Sequence, residues 1–275
     1  MRQGFARLFR KFFADRGTHL AAMVAYFALL SFVPMVFLAL ALLGLAGRAD
    51  ESSFFVTELS NIFPGSSVTR IVDLVATLEE NAAAIGAVGG VFLLWTSLSL
   101  FSVLESAFNI VYRQPNRPFL QGKAIAVALL VGSLVVLFAG LVAGSIGFEL
   151  LKRYAGGVAG NDVVAYVLSV IVSTLAVFVF LVSTYYVLTN VAHTFADVLP
   201  GALLGAALLQ LTFQALPVYI RLSGDVVTLQ ALGAPVILLV WLYVMANVIV
   251  IGAEVNWWFS RGRSELRADD VPGLA

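Results

Sequence analysis

Cysteine is absent from the 275 residues, which excludes disulfides, thiolate catalysis and cysteine-held zinc or iron–sulfur centres. Histidine is nearly absent: His19 and His193 are the two in the chain, far apart in sequence, and leave no basis for a histidine-rich metal centre. Charge is scarce, at 12% of residues, roughly half the share in a soluble domain. The 16 cations balance the 16 anions, so no basic field points to nucleic acid. A Gly-x-x-x-x-Gly-Lys-Ser/Thr phosphate loop is missing as well. What fills the chain instead is apolar, 61% of it, against roughly 45–50% in ordinary globular domains. That leaves too little polar surface to cover a water-soluble particle, and the reading is an integral membrane protein.

The charges are also unevenly placed. Six stretches, Leu20–Leu45, Ala83–Leu104, Ala124–Gly147, Val163–Leu188, Leu199–Ile220 and Leu232–Ala253, contain no Asp, Glu, Lys or Arg. Each reaches the ~20 residues that a helix needs to cross ~30 Å of hydrocarbon. Helices are expected because a backbone in lipid must satisfy its own hydrogen bonds, and the ~10-residue polar alternation of a membrane barrel is not seen. The spacing therefore predicts an all-α polytopic membrane protein with six transmembrane helices. Residues 1–19 form a basic amphipathic segment, 20–257 the membrane domain and 258–275 a polar tail. Leu20–Leu45 is far longer than the ~7–15 apolar residues of a secretory signal, and reads as a retained first span bent at Pro34.

Lys and Arg set the orientation. Arg2, Arg7, Arg10, Lys11 and Arg16 precede the first span, Arg113, Arg117 and Lys123 follow the second, and Arg261, Arg263 and Arg267 follow the sixth. The opposite side holds Arg48, Arg70, Lys152, Arg153 and Arg221. Both termini are expected in the cytoplasm.

Two segments are expected to lie along the membrane. In residues 4–16, Phe5, Leu8, Phe9, Phe12 and Phe13 recur at helical spacing among cations. Such a helix buries aromatics at the headgroup boundary with its cations on anionic lipid, or packs on the ends of the bundle; the two are compatible. The extracytoplasmic loop 46–82 has one apolar stripe of Phe54, Phe55, Leu59, Ile62 and Phe63 and another of Ile71, Val72, Val75 and Leu78, which predict two short amphipathic helices. They act as a lid, or more commonly as a cap.

Within the spans, Gly86–Gly90, Gly140–Gly144 and Gly201–Gly205 are four apart, a spacing that lets helices approach closely. Ser31, Thr96, Ser97, Ser99, Ser173, Thr174, Gln210, Gln214 and Asn247 fall near mid-depth. They line a neutral hydrogen-bonding cavity, or tie helices to their own carbonyls and to each other. No carboxylate or base lies at mid-depth, which argues against a proton relay or buried ion pump. Glu105 and Glu254 close the second and sixth spans near the cytoplasmic interface, with Arg16, Arg113 or Lys123 as expected partners in anchoring the rim or gating it. Tyr154, Tyr166, Tyr219, Trp257 and Trp258 fit an interfacial belt. Trp95 sits deeper, with a packed core indole expected. His193 is read as a solvated loop residue, and the loop 148–162, with Gly156, Gly157 and Gly160, as a short connection.

Several of these runs resemble the YihY/BrkB family. They are Ala-Tyr-Phe-Ala-Leu-Leu-Ser-Phe-Val-Pro at 25–34, Leu98–Arg113 with Glu105, Asn109 and Tyr112, Leu199-Pro200-Gly201-Ala202, Tyr219 with Gly233, Trp241-Leu242-Tyr243, and Gly252-Ala253-Glu254-Val255-Asn256. The resemblance covers roughly residues 10–260. It implies a bacterial inner-membrane protein of six helices, and marks Tyr26, Ser31, Pro34, Glu105, Asn109, Gly201, Tyr219, Gly233 and Glu254 as family positions. Labels in that family include a serum-resistance virulence factor, an exporter of compatible solutes, a part in envelope lipid traffic, and ribonuclease BN. The last would require a cluster of His and Asp metal ligands, which this chain lacks.

The leading expectation is a transporter or exporter, its cavity lined by Tyr26, Ser31, Gln210, Gln214 and Asn247, with Pro34 freeing a carbonyl. The cargo is a neutral or zwitterionic small solute, or an amphipathic lipid entering sideways. The alternative is a non-catalytic scaffold for envelope lipid-transfer machinery, docked through 46–82. An enzyme is not expected, and neither cofactor nor metal. Expected partners are membrane lipids, a periplasmic envelope protein and a second copy of the chain, but not nucleic acid.

Overall fold

The structure is a computed structural model. It describes residues 2–45, 56–57, 59–60, 63, 67–70, 72–73, 82–154, 162–192, 194–225 and 234–269. Seven long helices run through the described residues: α1 (Arg2–Ala14), α2 (Gly17–Leu45), α3 (Ala82–Tyr112), α4 (Phe119–Tyr154), α5 (Asp162–Leu188), α6 (Phe195–Asp225) and α7 (Ala234–Asp269). The six uncharged stretches map one to each of α2 through α7, apart from Leu232 and Gly233, which lie outside the described residues. No strand occurs among the described residues. Four segments are long and apolar enough to cross a membrane, by length and composition: Phe119–Val136, Val170–Leu188, Phe195–Leu222 and Pro235–Ser260. The described apolar parts of α2 and α3 are shorter, Gly17–Phe32 and Leu98–Tyr112.

Hydropathy located the helices but not their ends. α3 continues two turns beyond Leu104, so Glu105 lies within the helix rather than closing it. Its stop is a capping motif: Gln114 N–H donates to Asn109 O at 2.8 Å, Arg113 N–H to Ile110 O at 3.1 Å, and Arg113 takes φ 56°. That is the left-handed cap in which glycine is usual. α6 begins at Phe195, four residues before the uncharged stretch Leu199–Ile220. Asp197 Oδ2 accepts from Thr194 N–H at 2.9 Å and from Thr194 Oγ1 at 2.6 Å, and its negative charge suits the positive end of the helix dipole. α4 extends to Tyr154, which shortens the expected 148–162 loop, and α7 runs to Asp269, well into the expected tail. Gly156, Gly157, Gly160 and His193 lie outside the described residues.

α7 is the hub, packing on α6, α2, α3 and α1; α2 also packs on α3, and α5 on α6. α4 sits at the edge, mainly against α3, with sparser contact to α5 and α2. The core is built from Phe101, Leu104, Phe108, Leu181, Tyr185 and Val250, among others. Tyr185 joins three helices. Its ring meets Phe108 of α3 edge-on at 5.1 Å, and its hydroxyl donates to Ile249 O of α7 at 2.7 Å. In α1, Phe12 is buried against Gly17, whereas Phe9 and Phe13 face outward, 51% and 56% exposed. Of the 46–82 stripes, Leu59 and Phe63 pack against the core, Phe63 with its ring 4.6 Å from that of Phe32. Phe54, Phe55, Ile62, Ile71, Val75 and Leu78 lie outside the described residues.

The α6–α7 seam depends on two glycines. A Cβ at Gly201 would collide with the carbonyl oxygen of Gly252, and one at Gly252 with the Tyr185 hydroxyl. Gly132 on α4 has open space around it. Gly201→Ala and Gly252→Ala are each expected to destabilise the protein by about 1–3 kcal/mol. Gly132→Ala should stay within about 0.5 kcal/mol of the parent. Thermal unfolding of the detergent-solubilised variants checks this ordering.

Candidate functional site

The densest polar region lies where α3 and α5 end and α6 begins, beside the middle of α7, so that Glu254, like Glu105, lies within its helix rather than closing it. Ionic groups placed beside apolar helices need partners, since an unpaired buried charge is very costly. Lys11 supplies one. From α1 its ammonium donates to Glu254 Oε2 at 2.6 Å and to Val111 O at 3.0 Å. It also pairs with Asp15 and stands 4.1 Å from the centre of the Trp257 ring. One side chain thus joins α1, α3 and α7. Glu254 is fully buried, and its other oxygen, Oε1, makes no hydrogen bond among the described residues.

Arg117, in the short α3–α4 connection, closes the neighbouring corner. Its Nη1 donates to Leu188 O at 2.6 Å, and its Nη2 to Val187 O at 3.1 Å and Thr189 O at 3.0 Å. These are carbonyls at the negative end of α5, where a cation is favoured. Nη1 also reaches Glu105 Oε1 at 3.3 Å, and the Arg117 N–H donates to the same oxygen at 3.4 Å. Asn109, fully buried, accepts from Asn190 N–H at 2.8 Å and donates to Asn116 Oδ1 at 3.1 Å. Asn256 Oδ1 accepts from Gly201 N–H at 2.6 Å across the α6–α7 seam.

This rim gathers four of the residues singled out in the sequence: Glu105, Asn109, Gly201 and Glu254. Their partners are not the expected ones. Arg16 and Arg113 occupy left-handed helix-end positions and are not buried in the rim, Lys123 bonds Ser102, three residues before Glu105, and the cations paired with the carboxylates are Lys11 and Arg117. Asn190 and Tyr185 were not read from the sequence, and Asn256 entered only within the 252–256 run and not as a candidate. A legible signal was available for Asn256, two residues beyond Glu254 in a run otherwise apolar.

The remaining candidates are spread along the helices. Ser31 is fully buried, its hydroxyl donating to Thr96 O of α3 at 2.6 Å. Ser173 of α5 donates to Gln210 Oε1 of α6 at 2.9 Å. Tyr219 donates to Ile237 O of α7 at 2.6 Å, its ring 4.9 Å from Trp241. Asn247 donates to Tyr243 O of its own helix at 2.7 Å. Pro34 lies in α2 with its side chain outside the described set, and Gly233 is outside the described residues. Gln214 is on α6, and Tyr26 on α2 is 53% exposed. Trp95 corrects its expectation as a packed indole: it is 58% exposed, because a surface facing lipid imposes no penalty on an aromatic ring. Among the described residues no group of three His, Cys, Asp or Glu could hold a metal ion.

Arg117→Lys keeps the charge but loses the planar fork that reaches three carbonyls and a carboxylate. The expected cost is about 2 kcal/mol of stability, with Glu105→Gln milder, read from denaturant unfolding in detergent.

The family model described as Virulence factor BrkB matches residues 8–272. A UPF0761 membrane protein of Photobacterium profundum is 30% identical over 254 residues, covering 88% of this chain and 76% of its own length. Another, of Chlorobium phaeobacteroides, is 25% identical, covering 95% of this chain and 61% of its own length. The Bacillus subtilis protein YfkH, named as ribonuclease-like, is 21% identical, with 90% and 92% covered. No solved structure matches the chain. With a family match that runs nearly from end to end, and relatives named as membrane proteins over the same apolar helices, the chain belongs to the virulence factor BrkB family of membrane proteins.

Proposed function

We propose that the chain is a six-span protein of the bacterial inner membrane, both ends cytoplasmic, that moves an amphipathic lipid admitted sideways between its helices. The observation that carries this reading is where the polar groups face. Ser31, Ser173, Gln210 and Tyr219 spend hydrogen bonds on neighbouring helices, and Asn247 on its own. Tyr26 and Trp95, which combine an apolar ring with a polar handle, are instead more than half exposed, and we read them as facing the bilayer. Groups bonded across seams do not solvate a small polar solute, whereas outward amphipathic rings suit a molecule arriving from the bilayer. The peripheral seat of α4 leaves a flank of the bundle accessible from that side.

A scaffold role is the second reading, favoured by the rim. Lys11 and Arg117 tie α1, α3, α5 and α7 into one block, as a docking platform requires. Neither reading needs catalysis, and no enzyme activity is proposed. Proteoliposomes carrying a headgroup-labelled phospholipid separate the two. Loss of inner-leaflet label to an outside quencher, faster than in protein-free vesicles, together with no efflux of trapped osmolytes, is expected. Unchanged lipid movement would reject transport and leave the scaffold.

A further inference from the structure

The rim balances its cations. Lys11 faces Asp15 and Glu254, and Arg117 faces Glu105. Lys123, in the first turns of α4, forms no ion pair among the described residues: Glu105, whose Oε2 lies against the adjacent Gly122, is paired with Arg117. Its ammonium donates to Ser102 Oγ of α3 at 3.0 Å and lies 5.3 Å from the centre of the Trp95 ring and 5.8 Å from that of Phe119. A hydroxyl and two ring faces position an ammonium without neutralising it.

The surroundings of this charge open sideways. Trp95 is 58% exposed, Phe119 65% and Leu120 81%, so the α3–α4 groove presents an apolar wall outward with a half-buried cation set in it. Ser102 stands three residues before Glu105, less than one helical turn, or about 5 Å along the axis. The ammonium therefore sits close to the level at which the charge-free part of α3 ends, where hydrocarbon gives way to headgroups. A lysine able to extend fully into water would do so; this one is folded into the groove beside Ser102.

We propose that the α3–α4 groove is a binding site for an anionic phospholipid of the cytoplasmic leaflet. Its phosphate accepts from Lys123 Nζ and Ser102 Oγ, and an acyl chain lies along Trp95. The lipid supplies the negative charge that the protein omits, and the exposed indole supplies the apolar contact that a free phosphate ion would not use. The site goes beyond the transport reading: a lipid held here is expected whether or not lipid crosses the bilayer.

The test uses the full chain in vesicles of phosphatidylcholine, titrated with phosphatidylglycerol brominated on its acyl chains. Trp95 is the reporter, its signal obtained by subtracting a Trp95→Phe variant. Brominated phosphatidylglycerol is expected to quench Trp95 with at least about fivefold higher apparent affinity than brominated phosphatidylcholine. Lys123→Met should abolish that preference, whereas Lys123→Arg and the distant Arg221→Met retain it. Unchanged quenching of Lys123→Met by brominated phosphatidylcholine shows that its loss of preference is not a loss of fold. Inorganic phosphate at millimolar concentration should leave the quenching unchanged. Equal quenching by both lipids, an unaltered preference in Lys123→Met, or displacement by inorganic phosphate would each overturn the proposal.

Discussion

A fully buried carboxylate on the helix that the others lean against constrains the rest of this structure. Glu254 cannot reach water and accepts from Lys11. In an apolar setting an unpaired ion is far costlier than a paired one, so α1 must fold back onto the bundle for α7 to be tolerable there. The sharp α1–α2 turn follows, with Arg16 at φ 57° and Phe12 seated on Gly17. The same requirement recurs at Glu105, where the α3–α4 connection brings Arg117 into place and, through it, caps α5. The N-terminal helix is thus a structural member of the bundle.

The helices themselves were legible because lipid imposes a simple rule: no charge for about 20 residues. Each uncharged stretch became one helix. Their ends were less legible, since a helix stops where its last polar groups find partners, and Arg113 in a left-handed cap or Asp197 bonded to Thr194 leaves little trace in hydropathy. The pairing of the rim carboxylates was also hidden. Arg16, Arg113 and Lys123 are close in sequence to the span ends, but helical phase turns Lys11 inward with Phe12 and leaves Arg16 and Arg113 at helix ends. Trp95 was misread because a buried indole is the economical guess in water, whereas a membrane protein wears its apolar residues outside.

The arrangement divides the molecule in two. At the rim, the buried carboxylates are paired and the close Gly201–Gly252 approach admits no added methyl group, which describes a rigid base. Along the wall by α4, side chains are open, packing is sparser, and no described carboxylate neutralises the ammonium of Lys123. The proposed sideways admission of a lipid rests on this contrast between the closely packed rim and the sparser flank.

The central claim is that Lys11 and Glu254 are indispensable to each other. A double-mutant cycle on unfolding free energy in detergent, with Lys11→Met, Glu254→Gln and both together, tests it most directly. Lys11→Met alone should cost about 3–5 kcal/mol, since it strands a buried carboxylate. The double variant should be more stable than Lys11→Met, giving a coupling of at least about 2 kcal/mol. Additive losses, or a Lys11→Met variant as stable as the parent, would contradict the account.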